Sequence, residues 1–260
     1  MTQLLAGKVV LVSGGSQGVG AAIVRAAAAA GAEHVVFTGR RAEVGEAYAE
    51  ALRAEGYPVE FLISDVSDVD QAMGSVTETI KRHGRVDCVV NCAGLVTRGS
   101  ITGTSPELFE QHMAINLRGP FFIMQAAIKD MLARKKPGTI VNILSTSMHG
   151  GQDFLAPYVA SKAGLAGATK NAAHAHRWDR IRINGLNIGW TSTEGEDAIQ
   201  RAAHGATDGW LDDAATKVPM GKLGQPDEIA DMVVFLLSDR SGVVTGAILD
   251  WDQIVIGGMD

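Results

Sequence analysis

Tyr158 and Lys162 stand four residues apart in the segment 157–162, within a stretch whose pattern predicts a helix. Positions i and i+4 share one face of a helix, so the phenol and the ammonium group can point into the same site. A phenol with an ordinary pKa near ~10 is a poor acid–base catalyst at neutral pH, and a nearby cation lowers that pKa toward a useful range. The pair therefore indicates proton transfer, although the same spacing also occurs by chance on helix surfaces.

A glycine-rich loop follows the first predicted strand and opens the first predicted helix. It reads Ser13-Gly14-Gly15-Ser16-Gln17-Gly18-Val19-Gly20. Glycine permits a tight turn and lets the backbone approach a pyrophosphate, while the free N–H groups at the helix N-terminus attract the anion. Glycines also form plain turns, but this strand–loop–helix context predicts a dinucleotide site.

The end of the second predicted strand decides between two dinucleotides. An acidic residue there would accept a hydrogen bond from the adenosine 2′-hydroxyl and select NAD(H), but Gly39 stands at this point and is followed by Arg40 and Arg41. A guanidinium group can hold a 2′-phosphate through paired hydrogen bonds. We therefore expect NADP(H) to be preferred and NAD(H) to be possible. The alternative is that both arginines are solvated residues before the next helix.

Strands and helices must position these candidate residues. Short apolar runs alternate with helical stretches along the chain. The strand-like runs are Val9–Val12, His34–Thr38, Val59–Ile63, Val86–Val90, Thr139–Leu144, Ile181–Leu186 and Ala247–Asp250. The helical stretches lie near 18–30, 42–55, 68–83, 107–135, 157–177 and 226–238. Apolar strands joined by helices predict a parallel sheet covered on both faces, with ligands at the carboxyl ends of the strands. We expect one doubly wound α/β Rossmann domain over residues 1–260, with about seven strands.

The segment 190–217 interrupts this alternation. It combines glycines with aromatic and acidic residues, namely Trp190, Glu194, Glu196, Asp197, His204, Trp210, Asp212 and Asp213. A connection of this length in a compact domain is usually a functional lid or contains short helices. Because it follows a strand end, where ligands collect, we expect a substrate lid; the alternative is a solvated surface insertion.

Composition limits the possible partners. The net charge of −6 offers no basic footprint for nucleic acid, and no apolar run reaches the roughly 20 residues that cross a bilayer. The first residues lack the layout of a signal peptide. Cys88 and Cys92 are the only cysteines; their spacing on a strand does not favour a disulfide, and no matching histidines complete a metal site. We expect a cytoplasmic protein without membrane, nucleic-acid or metal binding.

Several motifs in order resemble those of the short-chain dehydrogenase/reductase family, over nearly the whole chain from Gly7 to about Gly246. They are the glycine loop with Ser13 in place of threonine, Asp65-Val66, Asn91-Cys92-Ala93-Gly94, Asn116 in Ile115-Asn116-Leu117, Ser145 at the family's usual interval before Tyr158, and Tyr158 with Lys162. The resemblance implies a Rossmann fold and an oxidoreductase that uses a nicotinamide dinucleotide.

The resemblance also implies roles for a catalytic set of Asn116, Ser145, Tyr158 and Lys162. Tyr158 would donate a proton to a carbonyl oxygen as hydride arrives, or remove a hydroxyl proton in the reverse direction, and Ser145 would bond the same oxygen. Lys162 would lower the pKa of Tyr158 and hold the nicotinamide ribose. Asn116 would position a water that links Lys162 to solvent. The expected cofactor-binding residues are Gly14, Ser16, Gln17, Gly18, Val19, Gly20, Arg40, Arg41, Asp65, Val66, Asn91, Ala93, Gly94, Tyr158, Lys162, Gly189, Thr191 and Thr193.

Two segments depart from the family pattern. The family often has Pro-Gly and then a threonine after the sixth strand, whereas this chain has Ile188-Gly189 without the proline, followed by Thr193. Near the C-terminus, Trp251-Asp252-Gln253 replaces the family's Asp-Gly-Gly, so the usual structural role of that motif cannot be carried over.

The substrate site is expected to mix apolar and polar side chains. Its expected residues are Ser145, His149, Asp153, Tyr158, Trp190 and Glu194. Buried polar groups discriminate by hydrogen bonding, so the mixture suggests a small polar alcohol or ketone of sugar or polyol type, oxidised at a CH–OH group. His149 and Asp153 alternatively stabilise their loop. The resemblance further implies a homo-oligomer, a dimer or tetramer, formed through the helices near 107–135 and 157–177.

Two other functions compete with this interpretation. A 3-oxoacyl-[acyl-carrier-protein] reductase-like enzyme would favour a basic patch near the pocket for its acidic carrier, and the acidic lid argues against it. A non-catalytic dinucleotide-binding regulator could dispense with Ser145, Tyr158 or Lys162, yet all three are present. Fold alone does not separate these functions, whereas the site does.

Overall fold

The structure, a computed structural model, describes residues 3–257 and contains a seven-stranded parallel sheet. The strands are β1 (Val9–Ser13), β2 (His34–Gly39), β3 (Val59–Ile63), β4 (Cys88–Asn91), β5 (Gly138–Ser145), β6 (Ile181–Ile188) and β7 (Ile248–Trp251). They lie in the order β3-β2-β1-β4-β5-β6-β7, so the order reverses between β1 and β4. The expected doubly wound Rossmann fold is confirmed, and a fold of this kind binds its ligand beside that reversal.

Helices connect the strands and cover both faces of the sheet. They are α1 (Gly18–Ala29), α2 (Ala42–Ala54), α3 (Val69–His83), α4 (Pro106–Met113), α5 (Gly119–Arg134), α6 (Ala156–His176), α7 (Glu194–His204), α8 (Trp210–Ala215) and α9 (Pro226–Leu237). Within residues 3–257, none of them has both the length and the apolar character that a membrane span requires.

Two apolar cores sandwich the sheet because its strands carry β-branched and other apolar side chains on both faces. On one face the core includes Ile23 of α1 and Val233 of α9. On the other face it includes Val76 of α3, Ile123 of α5 and Leu165 of α6. The helices cover both faces of the sheet, so the predicted site residues are reached at the carboxyl ends of the strands.

The helix predicted at 107–135 is divided in the structure. Ala114–Arg118 forms a π-helical turn between α4 and α5. Such turns are rare and often occur at functional sites, and this one contains Asn116. The prediction of one continuous helix was wrong at this point because apolar periodicity does not reveal a single widened turn.

The segment 190–217 contains α7 and α8 and has a small core of its own. Thr193 caps α7, its Oγ1 accepting the N–H of Glu196 at 3.0 Å. Trp210 of α8 is buried in a cluster with Ala214 and Leu223, and its Nε1 donates to Asp197 Oδ1 at 2.6 Å. This segment is therefore folded rather than an open loop.

Candidate active site

A cleft of about 990 Å³ opens at the carboxyl ends of β1 and β4 and extends to α7. The structure brings most of the predicted residues into it. Those that line the cleft are Gly14, Ser16, Gln17, Gly18, Val19, Gly20, Arg40, Arg41, Asp65, Val66, Ala93, Gly94, Ser145, Tyr158, Lys162, Gly189, Trp190, Thr191 and Thr193. The residues predicted to bind a nucleotide and those predicted to transfer a proton thus share one continuous surface.

The glycine loop is built by close backbone contacts that larger residues would prevent. Gly14 has φ +79°, and a Cβ on it would lie 2.5 Å from Ala93 Cα. A Cβ on Gly20 would lie 1.9 Å from the carbonyl oxygen of Gly14. Gln17 precedes α1 without capping it, and the first turn holds no acidic residue. The N–H groups of that turn are therefore available to an anion such as a pyrophosphate.

The end of β2 carries no acidic side chain. A Cβ on Gly39 would lie 2.8 Å from Ser16 Oγ, so a larger residue at this position would require the serine side chain to move. Arg40 and Arg41 are exposed at the rim of the cleft. Arg41 Nη2 donates to Gln17 Oε1, which places one guanidinium beside the glycine loop.

Tyr158 and Lys162 face each other from successive turns of α6. Lys162 Nζ lies 5.7 Å from the centre of the Tyr158 ring and donates to the carbonyl oxygen of Ile143 at 2.8 Å. Ser145, the last residue of β5, comes into the same part of the cleft, and its Oγ accepts the N–H of Ser147 at 3.2 Å. The i, i+4 prediction from the sequence is confirmed in its geometry.

Burial dominates the acid–base properties of this pair. It raises the pKa of Tyr158 above its ordinary value, and the Ser145 hydroxyl opposes that rise. It also lowers the pKa of Lys162 to about 8, against a smaller opposing effect of Cys92. The net shift of the Tyr158 pKa is upward, with burial as its largest cause, and the lowering of this pKa by Lys162 stays a prediction.

Asn116 holds the loop after β4 through a reciprocal pair of hydrogen bonds. Its Oδ1 accepts the N–H of Leu95 at 2.7 Å, and its Nδ2 donates to the carbonyl oxygen of Leu95 at 2.9 Å. Nδ2 also lies 3.0 Å from Ser161 Oγ. Asn116 is fully buried behind the cleft wall, and a Cβ on Gly94 would lie 3.7 Å from its Oδ1 and 3.8 Å from Lys162 Nζ. Asn116 and Lys162 thus flank the same glycine.

Comparison with known proteins agrees with this geometry. A family model described as "Enoyl-(Acyl carrier protein) reductase" matches residues 14–253. An L-fucose dehydrogenase of Bos taurus is 35% identical over 239 residues, which cover 91% of this chain and 85% of the bovine enzyme. A 3-oxoacyl-[acyl-carrier-protein] reductase of Thermotoga maritima is 31% identical over 95% of this chain and 97% of its own.

The solved structures include a gluconate 5-dehydrogenase from Burkholderia cenocepacia in complex with NADP and tartrate. Its TM-score is 0.86 at 30% identity, with 96% of each chain covered. The chain belongs to the short-chain dehydrogenase/reductase family. It is accordingly an oxidoreductase, and the family resemblance stated from the motifs is confirmed.

Some predicted residues of this short-chain dehydrogenase/reductase lie outside the cleft lining. Asn91 is buried behind it, and its Nδ2 donates to Asn142 Oδ1 at 2.8 Å. His149 contacts Asn187 and Asp250 at 3.2 and 3.4 Å, which corresponds to the loop-stabilising alternative. Two further predicted substrate residues, Asp153 and Glu194, are exposed and are likewise absent from the lining.

The two departures from the family pattern have structural counterparts. A Cβ on Gly189 would lie 2.1 Å from Asp252 Oδ1, so a larger residue at this position would displace the Asp252 carboxylate from the chain after β6. Gln253 Nε2 donates to the carbonyl oxygen of Lys222 at 2.9 Å, and Gln253 Oε1 accepts the N–H of Met220 at 2.8 Å. The C-terminal segment therefore holds the chain that follows α8.

His112 is a buried residue of the site that sequence reasoning missed. Its Nε2 lies 3.0 Å from the carbonyl oxygen of Thr97, and its Nδ1 lies 3.3 Å from Asn116 Nδ2. The Thr97 carbonyl requires a donor, so the hydrogen of the neutral ring lies on Nε2 and the lone pair of Nδ1 faces Asn116 Nδ2. Burial lowers the pKa of His112, against the Thr97 contact, and its ring packs edge-on to Tyr158 at 6.2 Å. The sequence does place His112 four residues before Asn116, and this i, i+4 spacing could have indicated that the two side chains lie together.

A second group of polar residues lies away from the cleft, at the amino ends of β2 and β3. His34, Glu60 and His83 bring potential metal-ligating atoms within 4.8 Å of one another, and the two imidazole rings stack at 4.1 Å. Sequence reasoning considered only the cysteines, which are both free thiols. It missed this cluster because the three residues come from separate elements.

Proposed function

We propose that the protein is an NADP(H)-dependent alcohol dehydrogenase or ketone reductase that acts at the CH–OH group of a small polar substrate of sugar or polyol type. The convergence of Ser145, Tyr158 and Lys162 on one cleft, continuous with the glycine loop, carries this proposal. A non-catalytic regulator has no need of that convergence.

The residues of the cleft fit a nicotinamide dinucleotide. The glycine loop and the first turn of α1 would hold its pyrophosphate, with Thr193 beside Gly18 of that loop, and Lys162 would hold the nicotinamide ribose. When bound, the cofactor supplies or accepts the hydride. Tyr158 remains protonated at neutral pH because burial raises its pKa, so it can give its proton to a carbonyl oxygen. Ser145 Oγ would bond the same oxygen and fix its position.

Lys162 supports this proton transfer by keeping a positive charge beside Tyr158. Its Nζ is held by the Ile143 carbonyl, so the charge stays beside Tyr158 instead of turning toward solvent. A fixed cation stabilises the phenolate that remains after the proton has left. Because the pKa of Lys162 is lowered to about 8, the amine can itself take part in proton exchange near neutral pH.

The preference for NADP(H) rests on the end of β2. Gly39 stands where an acidic side chain would bind the ribose 2′-hydroxyl, and Arg40 and Arg41 offer cations at the same rim. A 2′-phosphate would gain charge-assisted hydrogen bonds there. The solved relative from Burkholderia cenocepacia contains NADP, which supports the same choice.

The polar substrate is supported by the lining and by the relatives. Gln152, Glu196 and Gln200 stand beside the apolar Phe154 and Trp190 at the catalytic end. Relatives include an L-fucose dehydrogenase and a gluconate 5-dehydrogenase from Gluconobacter oxydans, the latter 33% identical over 94% of this chain. We therefore favour a polyhydroxylated substrate. A substrate-lid role for 190–217, assembly as a dimer or tetramer, and a cytoplasmic location stay predictions.

A 3-oxoacyl-carrier-protein reductase is the second candidate, since one relative has that activity in its name. The first turn of α7 carries Glu194, Glu196 and Asp197, and these charges would repel an acidic carrier. The test is to follow nicotinamide absorbance with purified protein, NADP(H) or NAD(H), and a panel of polyols, sugars, ketones and a 3-oxoacyl thioester. Turnover of polyols or sugars is expected. Activity confined to the thioester would favour the second candidate.

A further inference from the structure

Arg98 enters the catalytic end of the cleft from the loop that follows β4. The backbone beside it is tied to the segment before α6: Gly99 N–H donates to Phe154 O at 2.8 Å, and Ala156 N–H donates to Gly99 O at 2.9 Å. These bonds form a short parallel bridge. The protein's own backbone therefore fixes the base of the Arg98 side chain.

The guanidinium group of Arg98 has several contacts, but none of them is with an anionic side chain of residues 3–257. It lies over the ring of Phe154, 5.2 Å from the ring centre. Its Nη1 donates to the carbonyl oxygen of Val96 at 3.3 Å, and its Nη2 lies 3.2 Å from Nε2 of His204. Its Nε is buried and has no hydrogen-bond partner among residues 3–257.

Other partly buried arginines of the chain have several oxygen partners. Arg182 donates to hydroxyl and carbonyl oxygens, including Ser241 Oγ and the carbonyl oxygen of Ser238, and two others form ion pairs with carboxylates. Arg85 forms ion pairs with Glu33 and Asp87, and Arg134 forms ion pairs with Asp87 and Asp130. In the part of the chain that the structure describes, Arg98 has no such carboxylate. A partly buried cation is normally stabilised by a counter-ion, and the face of an aromatic ring replaces only part of that stabilisation. An anionic group on a ligand would supply the rest.

Arg98 also acts on the residue that transfers the proton. Burial has the largest effect on the pKa of Tyr158 and raises it, and the Ser145 hydroxyl opposes that rise. Among the smaller effects, Glu196 raises this pKa and Arg98 lowers it. A substrate that reacts at Tyr158 therefore meets both a cation and a carboxylate.

Glu196 is itself held in place for hydrogen bonding. Its Oε1 accepts from Trp190 Nε1 at 2.9 Å and from Gln200 Nε2 at 2.8 Å. Its other oxygen, Oε2, has no partner among the described residues, so it can accept from a substrate hydroxyl. The catalytic end thus offers separate places for an anionic group and for hydroxyl groups.

We propose that Arg98, with His204 beside it, binds a carboxylate of the substrate, so that the substrate is a hydroxy acid or the corresponding oxo acid. This inference rests on the proposed function and names its substrate class. The planar guanidinium fork matches a carboxylate, and the carboxylate takes no part in the bond changes. It positions the neighbouring C–OH group for Tyr158. A neutral polyol would leave Arg98 without its anion and would bind less tightly.

Binding is measured by titration calorimetry on protein saturated with reduced cofactor, using tartrate and its neutral counterpart threitol. We expect tartrate to bind about 10- to 100-fold more tightly, as a charge-assisted pair would provide. Arg98→Met should remove this difference, and Arg98→Lys, which keeps the charge and loses the fork, should retain part of it. Arg240→Met alters an exposed arginine outside the cleft and should behave as the wild type.

Turnover gives the second readout, with gluconate and sorbitol as the matched acid and polyol. Arg98→Met should raise KM for gluconate about 10- to 100-fold and should raise KM for sorbitol much less. Any change in kcat that acts through the Tyr158 pKa should be the same for both substrates. Equal binding of tartrate and threitol by the wild type, or a retained preference in Arg98→Met, overturns the carboxylate site; turnover of neutral alcohols then leaves the proposed function standing. Tartrate binding that depends on Arg98, without turnover of any alcohol or ketone, overturns the proposed function instead.

Discussion

Asn116 and Leu95 exchange two hydrogen bonds, with Leu95 N–H donating to Oδ1 at 2.7 Å and Nδ2 donating to Leu95 O at 2.9 Å. The pair joins the π-helical turn between α4 and α5 to the loop that follows β4. That loop continues to Arg98, so one buried amide supports both the wall beside Lys162 and the proposed substrate contact. Asn116 therefore affects the site indirectly, by fixing the backbone of Leu95.

Replacing Asn116 should therefore affect stability as well as rate. Asn116→Leu keeps similar volume but leaves the N–H and C=O of Leu95 without partners, which costs about 1–3 kcal/mol for each buried group. We expect a lower unfolding free energy in urea and a lower kcat. Asn171→Leu, at an exposed position on α6, is the control and should change neither. An Asn116→Leu protein with wild-type stability and kcat would contradict the positioning role.

Removing the Tyr158 hydroxyl should separate chemistry from cofactor binding. Tyr158→Phe keeps the ring that packs against His112 and loses the transferable proton, so kcat should fall by about 10²- to 10⁴-fold. The affinity for the cofactor, measured by fluorescence titration, should stay close to that of the wild type. Tyr57→Phe serves as the matched control. Retained turnover in Tyr158→Phe would mean that another group transfers the proton.

The two arginines after β2 should determine the preference for the 2′-phosphate. Changing Arg40 and Arg41 together to alanine should weaken NADP⁺ binding about 10- to 100-fold, because charge-assisted hydrogen bonds are lost. Binding of NAD⁺ should be nearly unchanged. Dissociation constants for both dinucleotides check this expectation in the same titration format. Equal losses for the two, or tighter NAD⁺ binding by the wild type, would show that these arginines do not select the cofactor.

Lys162 should make the stability of the protein depend on alkaline pH. Its pKa is about 8 in the folded protein and 10.5 ordinarily, so between these values the unfolded chain binds more protons than the folded one. The unfolding free energy contributed by Lys162 should therefore rise with pH over this window. Lys162→Met should lose that rise, whereas Lys170→Met, exposed on the same helix, should keep it. Thermal unfolding at several pH values measures the difference.

His83 should contribute acid sensitivity for the same reason, in a lower pH range. Burial lowers its pKa below the ordinary value of 6.5, against an opposing effect of Glu60, so the unfolded chain takes up the proton first. Stability should fall as the pH drops below about 6.5 and level off once the folded form is protonated as well. Thermal unfolding of His83→Gln should show a shallower fall than the wild type. Identical pH profiles for the two proteins would exclude His83 as the cause.

Local sequence patterns were sufficient for the fold and for the central pair. Six of the seven predicted strands overlap the observed ones closely, and β4 begins at Cys88 rather than Val86. Near-continuous apolar strands, the glycine loop and the Tyr158–Lys162 spacing are visible in the chain because each depends on residues close together in sequence. These features also carried the family resemblance, which the comparisons confirm.

The partners of Arg98 and the pKa of Tyr158 depend on residues far apart in the chain, so only the tertiary structure revealed them. The neighbours of Arg98 come from the loop before α6 and from the end of α7, and no local pattern joins Arg98 to Phe154 or His204. The upward pKa shift of Tyr158 reflects how much water the whole fold excludes. The sequence alone determined which groups are available for chemistry. Only the folded chain determined their burial and their partners, because both are properties of contacts between separate elements.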